Sequence, residues 1–229
     1  MKTNKLLLFF VSLIVGFFFL AEISSCTHDD EFFDDLPTST FEYGSDMVKV
    51  SDGYNFDKTH SSVRWESAYL ASSALLTGRF NNFEGTIEFE QDKPENISFS
   101  GKVTLSSVNT GEVGRDAGCL LGTFGIVDGD ESTDEALLVS KSVSFDNNGG
   151  YNVVADLTFH GVTSEVDVKL NYAGITSFDE NSGIFGAPLN LSGFTAEFQF
   201  NALTTFGIES SNIADVVNVK LNMQFKQPI

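Results

Sequence analysis

Cysteine is nearly missing from this chain, with only Cys26 and Cys119 among 229 residues. Two cysteines cannot build the disulfide framework that staples many exported domains, so the fold has to rest on its core. Proline is scarce as well, and only Pro94 and Pro188 fall inside the body, which suits strands that need their N–H groups. Basic residues are few, 13 Lys and Arg against 32 Asp and Glu, for a formal net charge of −19. Such a surface repels phosphate backbones and anionic headgroups, which argues against nucleic acid as a partner. Long apolar runs are missing except for Leu6–Leu20, whose 15 residues fall short of the ~20 that a spanning helix needs. Histidine is limited to His28, which falls in a solvated tether, and to His60 and His160, neither with a second His or Cys at ligand spacing, so no metal is expected.

Lys2 and Lys5 precede the apolar run and small residues follow it, the layout of a secretory signal over residues 1–25. Its end, Ile23-Ser24-Ser25-Cys26, resembles the lipobox of bacterial lipoproteins. That resemblance implies cleavage before Cys26 and acylation of Cys26. More than one acyl chain is needed for durable anchoring, because each buried CH₂ contributes only ~0.8 kcal/mol. The expected location is the bacterial cell envelope, lipid-anchored to the outer membrane, on its periplasmic face or at the cell surface. Residues 26–51 read as an acidic tether, with five acids among the seven residues Asp29 to Asp35. The remaining stretch, 52–229, is long enough for one domain with a sizeable core.

Within that stretch, alternation of apolar and polar residues dominates. Val217, Val219, Leu221, Met223 and Phe225 share one face of an extended strand, and Asn218, Lys220, Asn222 and Gln224 share the other. Ile97 to Leu105, Tyr151 to Phe159, Val166 to Tyr172 and Phe194 to Phe200 repeat the pattern. Asn147-Asn148-Gly149-Gly150 offers the positive φ values of a tight hairpin, and Asp179 to Gly183 marks another turn. Ala68–Leu76 and Arg115–Phe124 alternate poorly and are expected to hold one or two short helices. About eight strands, each with one apolar face, fit either a closed barrel or a two-sheet sandwich, and periodicity alone leaves both open.

Five local patterns together resemble the YceI-like, lipid/polyisoprenoid-binding family of exported lipocalin-like proteins. They are Asp57-Lys58-Thr59-His60-Ser61 leading into Trp65, Gly78-Arg79-Phe80-Asn81-Asn82-Phe83-Glu84-Gly85, and Ser107-Val108-Asn109-Thr110-Gly111 with Arg115-Asp116. Leu157-Thr158-Phe159-His160-Gly161-Val162-Thr163 is the fourth, and Phe206-Gly207-Ile208 with Asp215-Val216-Val217 the fifth. The family usually carries an Asn-Arg pair shortly before the Phe-Gly-Ile segment, whereas here Asn201 is followed by Ala202 and Leu203. The resemblance implies an all-β fold: an eight-stranded antiparallel lipocalin-like barrel, with one or two short helices, around an elongated apolar cavity. It further implies a non-enzymatic carrier of an isoprenoid or other long-chain amphiphile, with no other cofactor. Five of the 23 Phe lie in the leader, which leaves 18 to line a cavity or to fill a solid core.

The cavity-lining candidates are Val63, Trp65, Phe80, Phe99 and Val103 in the first half of the domain. Phe145, Leu157, Phe159, Leu189, Leu191, Phe198, Phe206 and Val219 complete them, and no catalytic residue is assigned. Adjacent residues on a strand point to opposite faces, so His60 and Ser61 cannot act in line as part of a triad with Asp57. Asp128, Asp130, Ser132 and Asp134 place oxygens at alternate positions, but Thr133 stands where a calcium loop needs Gly and Val139 where it needs Glu. Arg115 and Asp116 are expected to form a structural ion pair. The alternative function is a surface module with a filled barrel that binds protein or glycan through its acidic loops; pairing of two barrels is left open.

Overall fold

The computed structural model describes residues 54–69, 74–122, 124–127, 130–146, 148–180, 187–209 and 213–229. The leader, Cys26 and the acidic tether lie outside these residues, as do Asp128 and part of Ala68–Leu76. The strands are β1 (Asn55–Phe56), β2 (Ser62–Tyr69), β3 (Ala74–Phe80), β4 (Phe83–Glu88), β5 (Ser98–Thr104) and β6 (Val108–Asn109). They continue as β7 (Glu135–Phe145), β8 (Tyr151–Phe159), β9 (Val162–Phe178), β10 (Leu189–Asn201) and β11 (Ile213–Pro228). Among the described residues two short α-helices interrupt them, α1 (Val113–Gly122) and α2 (Ala202–Phe206).

All eleven strands belong to one antiparallel sheet in the order β4-β5-β7-β8-β9-β10-β11-β2-β3-β6, with β1 added to the end of β11. Two of the pieces, β1 and β6, are only two residues long. Alternation places the sheet's faces. In β8, Tyr151, Val153, Ala155, Leu157 and Phe159 are buried, while Asn152, Val154, Asp156 and Thr158 are less so. Their neighbours in register, Val166, Val168 and Leu170 on β9, continue the same apolar layer. A one-residue slip would turn this whole set to solvent, so burial fixes the register. The ladder is irregular at three places, between Ser140 and Ser142 on β7, beside Gly193 where β10 meets β9, and between Ile213 and Val217 where β11 meets β2. Bulges of this kind raise the local twist and help a sheet curl.

The curl brings the two ends of the sheet together without a ladder between them. Only Asn81 and Asn82 separate β3 from β4, yet the free edge of β3 pairs with β6 through Arg79↔Asn109 and Phe80↔Val108. Side chains bridge the seam instead: Phe56 of β1 stacks edge-on against Phe83 of β4 at 5.9 Å and tilts against Phe225 at 5.4 Å. Lys58 adds a hydrogen bond from Nζ to Asn82 Oδ1 at 2.7 Å.

The His-Gly-Val-Thr pattern is the turn between β8 and β9. His160 and Gly161 have φ of 54° and 72°, the two consecutive positive values that a tight hairpin requires. The imidazole then lies on Gly125, itself at φ 63°, where a Cβ would sit 2.1 Å from His160 Nε2. A side chain at Gly125 would be strained by that φ and would have to displace the imidazole. The first helix is found where the sequence places one, at Val113–Gly122. The second had not been expected; Asn201 caps it by accepting from the Thr204 N–H at 2.7 Å, and Gly207 ends it at φ 69°.

Asp57 anchors the start of the domain. Its carboxylate accepts from the Thr59 N–H at 3.1 Å and pairs with His60 Nδ1 at 2.9 Å, and its own N–H donates to Gln224 O at 2.8 Å. Burial pushes this carboxyl up, but the His60 hydrogen bond, the charges of Lys226 and His60 and the Thr59 N–H together pull it below the ordinary Asp value. A carboxylate depressed in the folded state adds stability above its unfolded pKa, and that stability disappears as pH falls through the lowered folded value. Urea midpoints are therefore expected to drop on acidification below about pH 4. Asp57→Asn should lower the midpoint at neutral pH and flatten that acid limb; an unchanged limb would count against this role.

Candidate functional site

The inside of the curled sheet is hollow over part of its length, and the hollow comes from missing side chains. Gly85 of β4 and Gly101 of β5 are register partners, on the face that carries Phe83, Ile87, Phe99 and Val103. A Cβ built on Gly101 would meet nothing nearer than Glu84 O at 4.0 Å, and one on Gly85 nothing nearer than Ser100 O at 3.4 Å. Across β7 and β10, Ala136 and Ala196 add two more small inward positions. The result is a partly open apolar cavity of about 140 Å³. A cavity of ~150 Å³ lined by Leu, Ile and Phe holds one benzene, so this room takes a ring-sized hydrocarbon group.

This is smaller than the elongated cavity that the resemblance implies. One end of the bore is filled by rings: Phe89 lies 4.9 Å from Phe194, 4.6 Å from Tyr172 and 5.6 Å from Tyr151. Burial pushes the Tyr151 hydroxyl up to about 12, with the charge of Asp92 adding to the effect. Burial does the same to Tyr172, also to about 12, against a small opposing effect of the nearby Ser192 hydroxyl. The Tyr172 and Ser192 hydroxyl oxygens are both buried without a hydrogen-bond partner, whereas the Tyr151 hydroxyl donates to Gln91 O at 2.8 Å.

Nine of the thirteen sequence candidates line the cavity: Val63, Trp65, Phe80, Phe99, Val103, Leu157, Phe159, Phe198 and Val219. Four do not. Leu189 and Leu191 sit on the opposite parity of β10, because Ser192, Phe194 and Ala196 are the buried set. Phe145, paired with Tyr151 at the hairpin end of β7, is 56% exposed and only leans on the Tyr151 ring at 5.7 Å. Phe206 belongs to α2 and packs into the core against Phe159 at 5.5 Å and Phe200 at 5.3 Å. Phe56, Phe83 and Leu138 line the cavity without having been expected there.

The polar inventory of the cavity is short. Lys102 is the one cation among its lining residues, and its ammonium is held at the surface by Glu135 at 3.0 Å and Glu84 at 3.2 Å. Those two carboxylates raise the Lys102 pKa. Trp65 is 9% exposed and spans the register between Gly78 and Val219, and its indole Nε1 is buried without a hydrogen-bond partner. Gly78 leaves room for that ring, since a Cβ there would lie 2.6 Å from the indole carbons and 2.7 Å from Nε1.

The remaining motif residues have structural partners. Ser61 Oγ donates to Asp57 O at 2.7 Å and accepts from the Gln224 N–H at 2.9 Å, so its hydroxyl is turned away from His60 Nδ1, which faces Asp57. Arg115 and Asp116 do not form the expected pair with one another. Consecutive helical residues diverge, and both grip Thr110 instead: Arg115 donates to its Oγ1 and O at 2.8 and 2.9 Å, and Asp116 accepts from its N–H at 2.8 Å. Asp130 accepts from the Ser132 N–H at 3.1 Å, and Asp134 accepts from the Ser106 N–H at 2.6 Å. Among the described residues there is no cluster of three or more potential metal ligands.

A single antiparallel sheet curled around an apolar cavity, with an aromatic plug at one end and helices beside it, defines a lipocalin-like barrel. The model of the YceI-like domain matches residues 54–225, three quarters of the chain, and the chain belongs to that family. A UPF0312 protein of Pectobacterium atrosepticum is 28% identical over 169 residues, 73% of this chain and 84% of that one. One of Pseudomonas putida is 30% identical over 158 residues, 68% and 76% of the two chains. One of Vibrio parahaemolyticus, 29% identical, matches over 115 residues, so that this chain spans 59% of its length. Among solved structures, Burkholderia cenocepacia BcnA superposes with a TM-score of 0.60 at 19% identity, over 74% of this chain and 99% of that one. A polyisoprenoid binding domain from Saccharophagus degradans gives 0.52 at 17% identity, over 77% and 99%. At these identities the structural likeness establishes the fold.

Proposed function

We propose that this protein is a non-enzymatic binding protein that encloses the apolar part of a long-chain amphiphile, an isoprenoid or similar lipid, in the barrel cavity. The observation that carries the reading is the facing Gly85 and Gly101, which keep open an apolar room that ordinary core residues would fill. Burying about six CH₂ or CH₃ groups there contributes about 5 kcal/mol at ~0.8 kcal/mol each. The rest of a longer chain lies in the open side of the cavity. Membership of the YceI-like family and the likeness to a polyisoprenoid binding domain support the same ligand class. The leader and Cys26 support acyl anchoring in the cell envelope, which would hold the barrel near a source of such lipids.

The chain, purified from its membrane fraction and extracted with organic solvent, should release an amphiphile detectable by mass spectrometry. After delipidation it should take up added prenyl lipid. An empty extract together with no uptake of any prenyl lipid would end this reading.

A further inference from the structure

Two arginines stand opposite one another with nothing to neutralise them. Arg79 of β3 and Arg64 of β2 are register partners, and Lys220 of β11 continues the same rung on the outer face of the sheet. Lys220 is taken by Glu66 at 3.1 Å, but among the described residues neither arginine has a hydrogen bond or an ion pair. Like charges directly across a ladder are destabilising, and this chain has 32 acids from which to draw a partner. Two rungs away on the same face the character changes. Leu75 pairs with Ala68, Val216 lies next to the Val217 that pairs with Ser67, and Leu203 of α2 lies just beyond Asn201, the partner of Val216. Leu75 is 60% exposed and Val216 44%. We infer that this face is a membrane-docking surface, on which Leu75, Val216 and Leu203 enter the edge of a bilayer and Arg64 and Arg79 bind the phosphates of anionic lipid headgroups.

The spacing fits a bilayer. The apolar and basic rungs, at Leu75 and Arg79 of β3, are separated by ~13 Å along the strand and by ~10 Å in depth at the tilt of a barrel strand. The headgroup layer is ~5–7 Å thick, and arginine carries its charge on a long apolar stem. Apolar tips just inside the hydrocarbon therefore leave both guanidinium groups among the phosphates. Asp215, beside Val216, and Glu209, beyond α2, are exposed acids at this end, and their charge holds insertion to the headgroup boundary. The net charge of −19 repels an anionic surface from a distance, but that field fades within ~8 Å at physiological salt and turns the acidic remainder of the barrel away. The acyl anchoring proposed above supplies the bilayer, since the chain between Cys26 and Tyr54 extends to at most ~90 Å. The cavity reaches this end too. Phe200, Ala202 and Val217 line it, at the opposite end of β10 from the ring contact of Phe89 with Phe194. Docking brings that end of the cavity against lipid, whatever ligand it holds.

The test mixes the full chain, purified from its membrane fraction, with vesicles of phosphatidylcholine and about one third phosphatidylglycerol whose brominated acyl chains quench tryptophan on contact. Trp65, the single tryptophan, is buried and supplies the background. Leu75→Trp is expected to be strongly quenched. Phe145→Trp, exposed beside Tyr151 at the plugged end, should stay at the background. Arg64→Gln combined with Arg79→Gln should lower the docked-to-undocked ratio about 25-fold, at about fivefold for each cation near an anionic surface. Salt of about 1 M, with a Debye length of ~3 Å, should do the same to the native arginines, so the outcome does not hang on the folding of that variant. Equal quenching of Leu75→Trp and Phe145→Trp would overturn the docking face. Quenching that is as strong on pure phosphatidylcholine and survives loss of both arginines would overturn the role of anionic headgroups. If Leu75→Trp is shielded from soluble acrylamide before any vesicle is added, protein covers this face, a second copy or the chain's own acidic segment 29–35, and the membrane assignment falls. None of these failures touches the ligand reading of the cavity, which uptake of prenyl lipid tests separately.

Discussion

Gly101→Phe is expected to abolish uptake of prenyl lipids, by tenfold or more in affinity, while the barrel stays folded. The position faces inward between Phe99 and Val103, opposite Gly85 and Leu138, and an added Cβ meets nothing nearer than Glu84 O at 4.0 Å. A benzyl group entering there occupies the same ring-sized room of about 140 Å³ that the ligand needs. Filling a pre-existing void does not force neighbours apart, so the usual overpacking cost of ~1–3 kcal/mol is avoided. The control is Thr195→Phe, which puts the same ring on the exposed outer face of β10, away from the cavity lining, and should leave uptake intact. Circular dichroism and thermal melts establish that both variants fold. A folded Gly101→Phe protein that takes up lipid normally would show that the ligand sits elsewhere.

Those two glycines also show where the sequence stops being informative. The alternation that gives β8 its buried Tyr151, Val153, Ala155, Leu157 and Phe159 is a property of neighbours along the chain, so it can be read directly. The cavity depends on Gly85 standing opposite Gly101, and that pairing is set by how β4 and β5 register. No local pattern reveals it. The motif from Gly78 to Gly85 carries both ends of the arrangement, one glycine under the Trp65 ring and the other in the cavity wall, but its spacing alone cannot assign those roles. Parity failed on β10 for a related reason. Ser192 is a fully buried polar residue beside the irregularity at Gly193, so the apolar Leu189 and Leu191 looked like the inner row when they are the outer one. Phe206 was displaced by a helix of five residues, too short for a periodic signal and legible only through its Asn201 and Gly207 caps. Phe145 shares the inward parity of Val143, and is exposed because the sheet ends there.

The largest loss of stability is expected from Phe194→Ala, at the plugged end of the barrel. Phe194 is fully buried, with its ring 4.9 Å from Phe89, 5.1 Å from Tyr172 and 5.8 Å from Phe225. Removing a core Phe costs ~3–5 kcal/mol, because the transfer energy of the ring is lost and the surrounding structure collapses only in part. That is a large fraction of the 5–15 kcal/mol typical of a domain, and at ~2–4 °C per kcal/mol it lowers Tm by about 10 °C. Phe198→Ala is the informative comparison, four residues along the same strand and on the same face. Phe198 borders the open room, so part of its surface already lacks partner atoms and its removal enlarges an existing void. Its cost should fall at or below the lower end of that range, while ligand uptake changes more than in Phe194→Ala. Denaturant titrations of the two delipidated variants measure the difference; equal losses would mean that the bore is packed alike at both levels and that the hollow is not confined to the Phe198 end.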